Sequence, residues 1–186
     1  MLEKSSQLFA GLRDLSPVGK NWAPYFQRTF EVYTKLWKFQ QTHRVVLEKK
    51  DTYGLKRWEI GEIASKIGQL FYHYYLRTSE TNYLHESFVF YQAILERRYF
   101  DEMGGLNQPS LVIKKLRYYA RFIVVCLLLN RRDVIAGLLE GLKSLVSDYT
   151  SEFKPSDSAE WDVVLSEIST FLDVSFSSSI FPCLLY

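Results

Sequence analysis

The amino-acid sequence predicts an all-α protein, and two observations carry this prediction. The 186 residues include only 5 prolines and 9 glycines, and apolar side chains recur along the chain at spacings of three and four. The composition, 47% hydrophobic and 16% aromatic, is typical of a globular domain and not of a disordered chain. We therefore expect about six substantial helices in antiparallel pairs, stacked as a helical-repeat-like solenoid or bundle.

The stretch from Trp58 to Leu76 predicts the central helix. Its buried face is marked by apolar residues at helical spacing, namely Ile60, Ile63, Ile67, Leu70, Phe71 and Tyr74. A second face carries Gly61, Ser65 and Gly68. A glycine inside a helix costs roughly 1 kcal/mol relative to alanine. We therefore expect a neighbouring helix to lie close against this small-residue face.

The remaining helices follow from periodicity, capping residues and breaks. A short amphipathic helix is predicted within residues 1–20, and long helices are predicted near residues 21–47, 82–100, 110–129, 133–149 and 157–173. The short links between them favour two successive hairpins, 58–100 and 110–149. The predicted organisation is an N-terminal segment (1–20), a helical domain (21–173) and a disordered tail (174–186).

Charge and cysteine usage restrict the class of protein only loosely. The net charge of +2 names no partner, although residues 1–57 are basic and residues 147–173 are acidic. The two segments attract each other, bind separate partners or form two solvated faces. Two cysteines, Cys126 and Cys183, make no disulfide framework, which indicates the cytosol or the nucleus. No apolar run has the length of a signal peptide or a membrane span.

Residues that carry chemistry are scattered and form no catalytic motif. His43, His73 and His85 fall on three predicted helices without metal-ligand spacing, and neither cysteine lies in a nucleophile motif. The sequence also has no phosphate-binding loop. We therefore predict that the chain is not an enzyme and has no catalytic residue, metal or cofactor.

A basic stripe on the predicted 110–129 helix is the first candidate binding site. It consists of Lys114, Lys115, Arg117 and Arg121. Such a stripe contacts an acidic protein partner or nucleic-acid phosphates, or it is a solvated helix face. The sequence leaves these alternatives open.

A ring cluster at the end of the central helix is the second candidate. Tyr72, His73, Tyr75 and Arg77 have the composition of interaction hot spots. The alternative is that these side chains pack against flanking helices.

Three segments resemble a known family. KLWKFQQTHR (35–44), YGLKRWEIGEIASKIGQLFYHYYLRTSETNYL (53–84) and KKLRYYARFIVVCLLLN (114–130) closely resemble the SCAI family, named for suppressor of cancer cell invasion. The resemblance runs in order from about residue 20 to about residue 172, and plant members are the most similar. It implies a nuclear, non-enzymatic cofactor, with the cytoplasm as a second location. No binding residue is transferred from it.

The resemblance also implies a set of roles. In animals the family is associated with repression of transcription by the serum-response-factor coactivator pathway and with double-strand-break repair, and in plants with meiotic recombination. Family members continue beyond residue 186, so we expect a truncated isoform whose tail, divergent from Val174 onward, arises by read-through or alternative splicing. The predicted function is protein–protein interaction with transcription coactivators or repair factors. The alternative is a DNA-contacting helical module that uses the basic stripe.

Overall fold

The computed structural model describes residues 2–13, 22–101 and 108–180, and these residues form helices with no strand. The all-α prediction is confirmed. In chain order the helices are α1 (Leu2–Arg13), α2 (Trp22–Thr42), α3 (Arg44–Leu47), α4 (Arg57–Thr78), α5 (Thr81–Glu96), α6 (Pro109–Leu128), α7 (Arg132–Phe153) and α8 (Ser158–Ile180).

Several helix boundaries differ from the sequence prediction by a few residues, and two differences are larger. The helix expected near 21–47 is divided, because α2 ends at Thr42 and the short helix α3 begins at Arg44. The last helix, α8, has helical backbone through Ile180 and so extends into the segment 174–186 that was predicted to be disordered. No glycine or proline occurs within α8, so its sequence contains no residue that would stop the helix earlier. Residues 181–186 lie outside the described chain.

Helices α4 and α5 form an antiparallel hairpin with the most extensive helix–helix contact in the structure. The end of α4 meets the start of α5, where the ring centroids of Tyr74 and Tyr83 are 4.4 Å apart. The start of α4 meets the residues after α5, where Gly61 lies against Tyr99 and Phe100. The hairpin that we predicted over residues 58–100 is therefore present.

Helix α6 runs antiparallel to α5 and hence parallel to α4. The ring centroids of Phe88 and Phe122 are 5.5 Å apart, and those of Phe100 and Tyr118 are 5.2 Å apart. Helix α7 then packs back on α6 as the second hairpin. These alternating directions confirm the predicted stack of antiparallel pairs.

Two buried hydroxyl groups connect consecutive helices. Ser87 Oγ of α5 donates to the Gly68 carbonyl of α4 at 2.8 Å. Tyr118 Oη of α6 donates to the Tyr91 carbonyl of α5 at 3.0 Å. Each bond satisfies a buried polar group and fixes one helix against its predecessor.

The glycines of α4 allow α5 and the turn after it to approach closely, as the sequence predicted. A Cβ added to Gly61 would lie 2.8 Å from the Cβ of Tyr99, and one added to Gly68 would lie 3.1 Å from the Tyr91 ring. Real Cβ atoms essentially never approach another heavy atom as closely as the first of these distances. Glycine at position 61 is therefore a packing requirement.

Helix α4 is central because it contributes to both hydrophobic cores. The larger core joins α4 to α5, α6, α7 and α8, and the smaller core joins α4 to α1 and α2. None of the described helices is both long enough and apolar enough to cross a membrane.

Candidate functional site

The described residues offer no group of three or more His, Cys, Asp or Glu side chains that could hold a metal ion. His43 lies between α2 and α3, and the other two histidines lie on α4 and α5. Cys126 is fully buried in the larger core, and burial raises the pKa of its thiol to about 12. This cysteine therefore stays protonated at neutral pH, as expected for a core residue. Cys183 lies outside the described residues.

The residues of the basic stripe on α6 have different surroundings. Lys114 Nζ lies 2.8 Å from Glu62 Oε2 and 5.3 Å from the centre of the Trp58 ring, so Lys114 is bound to α4. Arg117 is exposed, whereas Lys115 is half-buried. The charge of Lys114 is thus paired with Glu62, whereas Arg117 faces solvent.

Arg121, the last residue of the stripe, is half-buried between helices. Burial lowers the pKa of its guanidinium, the Tyr91 phenol opposes this shift, and the positive charge of Arg117 adds to it. Arg121 takes part in none of the hydrogen bonds or ion pairs found within residues 2–13, 22–101 and 108–180. It is a partly buried cation without an acceptor from this part of the protein.

The members of the predicted ring cluster do not form one shared surface. Tyr72 and Tyr75 pack against the larger core. Arg77 places its guanidinium 5.5 Å from the ring centre of Trp22 and 5.3 Å from that of Phe26, against α2. Tyr72 and Tyr75 have the packing role that the sequence left as the alternative to a binding surface.

His73 is brought close to the basic stripe of α6, which the sequence had treated as a separate site. Burial lowers the pKa of its imidazole first, and the positive charges of Arg121, Arg77 and Lys66 lower it further. The charge of Arg121 thus acts on His73, so one residue of each candidate site lies within electrostatic range of the other. Lys114 lies with Glu62, closer to the start of α4.

A groove between α2, α4 and α5 is a site that the sequence analysis missed. Its volume is about 590 Å³. The lining residues are Ala23, Gln27, Phe30, Glu31, Thr34, Lys35, Lys38, Phe71, Tyr74 and Tyr83. Four of these side chains are aromatic and form its floor.

The floor of the groove is a continuous set of rings contributed by three helices. Ring centroids are 4.8 Å apart for Phe30 and Phe71, and 4.4 Å apart for Tyr74 and Tyr83. Phe71 and Tyr83 stack with an interplanar angle of 22° at 6.3 Å. The four rings are only partly buried, so the floor remains accessible to a partner.

The rim of the groove is charged along α2. Glu31, Lys35 and Lys38 are exposed, and none of them forms an ion pair with another described residue. Sequence reasoning assigned Phe71 and Tyr74 to the buried face of the central helix. Their spacing was a correct signal for one shared face, but it did not show that α2 leaves this face partly open.

The comparisons with known proteins agree with the resemblance. A family model described as Protein SCAI matches residues 1–182. The Protein SCAI homolog of Dictyostelium discoideum is 62% identical over 172 residues, which is 92% of this chain and 22% of the relative. Protein SCAI of mouse and of human are each 60% identical over 174 residues, which is 93% of this chain and 28% of the relative.

The chain thus spans about a quarter of the length of these curated relatives. No solved structure matches it. With a family model over nearly all of its residues and the identity of the relatives at 60% or more, the chain belongs to the SCAI family.

Proposed function

We propose that this chain is a non-enzymatic protein-interaction module, and that the groove between α2, α4 and α5 is its docking site. The observation that carries this proposal is the partly exposed aromatic floor formed by Phe30, Phe71, Tyr74 and Tyr83. Accessible aromatic clusters are typical of the centres of protein interfaces.

The shape and charge of the groove favour an amphipathic helix as its occupant. The lining residues of α2 extend from Ala23 to Lys38, which corresponds to about 22 Å of helix. Apolar side chains of the occupant at spacings of three and four would rest on the rings. Lys35 and Lys38 concentrate positive charge at one end of the rim. The matching partner therefore carries acidic residues at the end that lies beside these lysines.

The cellular role that we propose is that of a nuclear cofactor in transcriptional repression, in double-strand-break repair and recombination, or in both. Membership of the SCAI family supports this role. The partners would be transcription coactivators or repair factors that present the amphipathic helix. This chain corresponds to about a quarter of the length of its relatives, so these roles are proposed for the longer proteins. The groove is the part of the proposed function that this chain would contribute.

The DNA-contacting alternative stays a prediction. It requires Lys114, Arg117 and Arg121 to follow phosphates along one helix face. The pairing of Lys114 with Glu62 and the partial burial of Arg121 favour the protein partner. Steep loss of duplex-DNA affinity with rising salt, together with its loss on substituting all three residues, would instead support the alternative.

The docking proposal can be tested by selecting binders from a library of amphipathic helical peptides. We expect enriched peptides to combine an apolar face with acidic residues at one end. Reversing two exposed charges by Lys35→Glu with Lys38→Glu should weaken binding about tenfold, and Tyr83→Ala should weaken it further by removing a ring from the floor.

The matched control for the charge reversal is Lys49→Glu with Lys50→Glu. These lysines are also exposed and adjacent in sequence to α3, and they do not line the groove, so the same change of net charge should leave binding unaffected. If both double variants weaken binding equally, the attraction is nonspecific and the groove is not the docking site.

A further inference from the structure

A second cavity lies where helices α1, α2, α4 and α6 meet. Its volume is about 290 Å³, which is at the lower end of the range for small-molecule sites in proteins. Each of the four helices contributes to its lining, and α4 contributes the most. No residue lines both this cavity and the groove between α2, α4 and α5. The cavity is therefore separate from the groove, and a role for it does not rest on the proposed function.

The floor of the cavity is apolar. Leu36 of α2 and Ile63 of α4 are buried there, together with the Tyr33 side chain. The half-buried Leu55 and Trp58 complete the apolar wall. A hydrophobic group that entered the cavity would exchange water for aliphatic and aromatic contacts, which is favourable.

Four charged side chains line the same cavity, and they comprise two acids and two bases. Glu59, Glu62 and Lys66 belong to α4, and Lys114 belongs to α6. All four are half-buried, so they lie nearer to solvent than the floor. The lining therefore carries no net charge but presents both signs of charge within one small space.

Contacts within the chain use only part of the hydrogen-bonding capacity of these groups. Lys114 Nζ donates to Glu62 Oε2 at 2.8 Å and lies 5.3 Å from the centre of the Trp58 ring, which leaves two of its three N–H groups for another acceptor. Glu59 Oε2 accepts from the backbone N–H of Lys56 at 2.8 Å. Glu59 Oε1 and Glu62 Oε1 accept no hydrogen bond from the residues that the structure describes. Donors and acceptors are therefore both available to a ligand.

The balance of opposite charges determines which class of ligand the cavity fits. An anion would face the two glutamates, and a cation would face the two lysines. An uncharged molecule would take water from all four charged groups without replacing their hydrogen bonds. A zwitterion, in contrast, can place each of its charges beside the opposite charge of the lining.

We propose that this cavity binds a small zwitterion with an apolar body, of the apolar α-amino acid class. The carboxylate of the ligand accepts hydrogen bonds from the free N–H groups of Lys114. Its ammonium donates to Glu59 Oε1 or Glu62 Oε1. Its side chain lies against Trp58 and the apolar floor. The small volume of the cavity fits one such molecule.

The test uses the 186-residue chain, labelled isotopically on nitrogen, with L-leucine and L-phenylalanine as the probes. The reporter is the indole N–H resonance of Trp58, assigned with Trp58→Phe. We expect a saturable shift of this resonance with at least one probe. The indole resonances of Trp22, Trp37 and Trp161, which do not line the cavity, should stay in place.

Two derivatives of the bound probe test whether both charges are needed. The N-acetyl derivative lacks the ammonium, and the amide derivative lacks the carboxylate. Each should bind about tenfold more weakly than the free amino acid, because each loses a hydrogen bond between charged groups.

Three variants of the chain remove parts of the site. Lys114→Met and Glu62→Gln each remove one charge and should weaken binding about tenfold. Ser6→Phe introduces a ring into the cavity from an exposed position of α1 and should abolish the shift of Trp58. Thermal melts establish which variants are folded. Because Ser6 is exposed, Ser6→Phe remains a test even if a charge variant unfolds.

Glu48→Gln is the matched control for the charge variants. Glu48 forms a similar ion pair with Arg44 at 2.7 Å, and neither residue lines the cavity, so this change should leave the titration at Trp58 unchanged. The proposal is overturned if neither probe gives a saturable shift of Trp58, or if both derivatives bind as tightly as the free amino acid. Full affinity in the folded charge variants or in folded Ser6→Phe protein would also overturn it.

Discussion

Helix α4 has two similar levels seven residues apart, residues 60–63 and residues 67–70, and they differ in how their polar side chains are satisfied. On the first level Glu62 neutralises Lys114, and the pair also lies against Trp58. On the second level the buried Gln69 Oε1 has no hydrogen-bond partner among the described residues. The backbone arrangement is similar on both levels. The first level therefore holds a paired charge, whereas the second buries an amide oxygen without a partner.

The largest expected effect distinguishes the glycines of the two levels. Gly61→Ala should destabilise the fold by about 1–2 kcal/mol, because overpacking against the Tyr99 Cβ exceeds the gain in helix propensity. Gly68→Ala should be closer to neutral, since it meets the Tyr91 ring at 3.1 Å and that ring needs to move only slightly. Urea denaturation monitored by circular dichroism measures both changes.

Gly137→Ala is the control for these two variants. Gly137 lies inside α7, and a Cβ added there would have no heavy atom within 4 Å. It should stabilise the protein by about 0.5–1 kcal/mol through helix propensity alone. If Gly61→Ala also stabilises, the close approach at residues 99 and 100 is not a constraint on the fold.

A smaller effect is expected from the ion pairs. A double-mutant cycle on Glu62 and Lys114 should give a coupling of about 0.5 kcal/mol, because the pair is partly exposed to solvent. Because α4 and α6 run parallel, Gln69 and Arg121 lie seven residues beyond Glu62 and Lys114 on the two helices. Their cycle should give almost no coupling in the natural sequence and a favourable one once Gln69→Glu is introduced. Equal couplings on both levels in the natural sequence would contradict the difference described here.

The smallest effect concerns the pH dependence of stability. Because burial and neighbouring cations lower the pKa of His73, the unfolded chain binds more protons than the folded protein in mildly acidic solution. The contribution of His73 is therefore complete above the ordinary imidazole pKa of about 6.5 and is lost as the pH falls below it. His73→Gln should flatten this slope in denaturation curves between neutral and acidic pH.

Arg121→Gln should also reduce the slope, since removing this cation raises the pKa of His73 toward its ordinary value. Substitution of the exposed Arg98, which lies beyond α5, should not change it. An unchanged slope in the Arg121 variant would mean that Arg121 does not act on His73.

The sequence predicted the helices well because helical periodicity is a local property. The close packing behind Gly61 and Gly68 was also predictable, since interior glycines in a helix need a reason. The break between α2 and α3 could not be predicted, because residues 42–44 include no glycine or proline.

The sites were harder to predict because they depend on how non-adjacent helices align. His73 and Arg121 are 48 positions apart, and the action of the Arg121 charge on the pKa of His73 depends on how α4 and α6 align. The shape of the groove depends on how α2 packs against α4 and α5. Periodicity identified Phe71 and Tyr74 as one face of the helix. It could not show which part of that face stays uncovered.

The hydrogen bonds that the Ser87 and Tyr118 hydroxyls donate oppose sliding between helices. If α5 shifted by half a turn, about 2.7 Å, both hydroxyls would move out of hydrogen-bonding range of their carbonyl acceptors in the core. Each unsatisfied group would cost about 1–3 kcal/mol. Sliding of α5 along α4 and α6 is therefore suppressed.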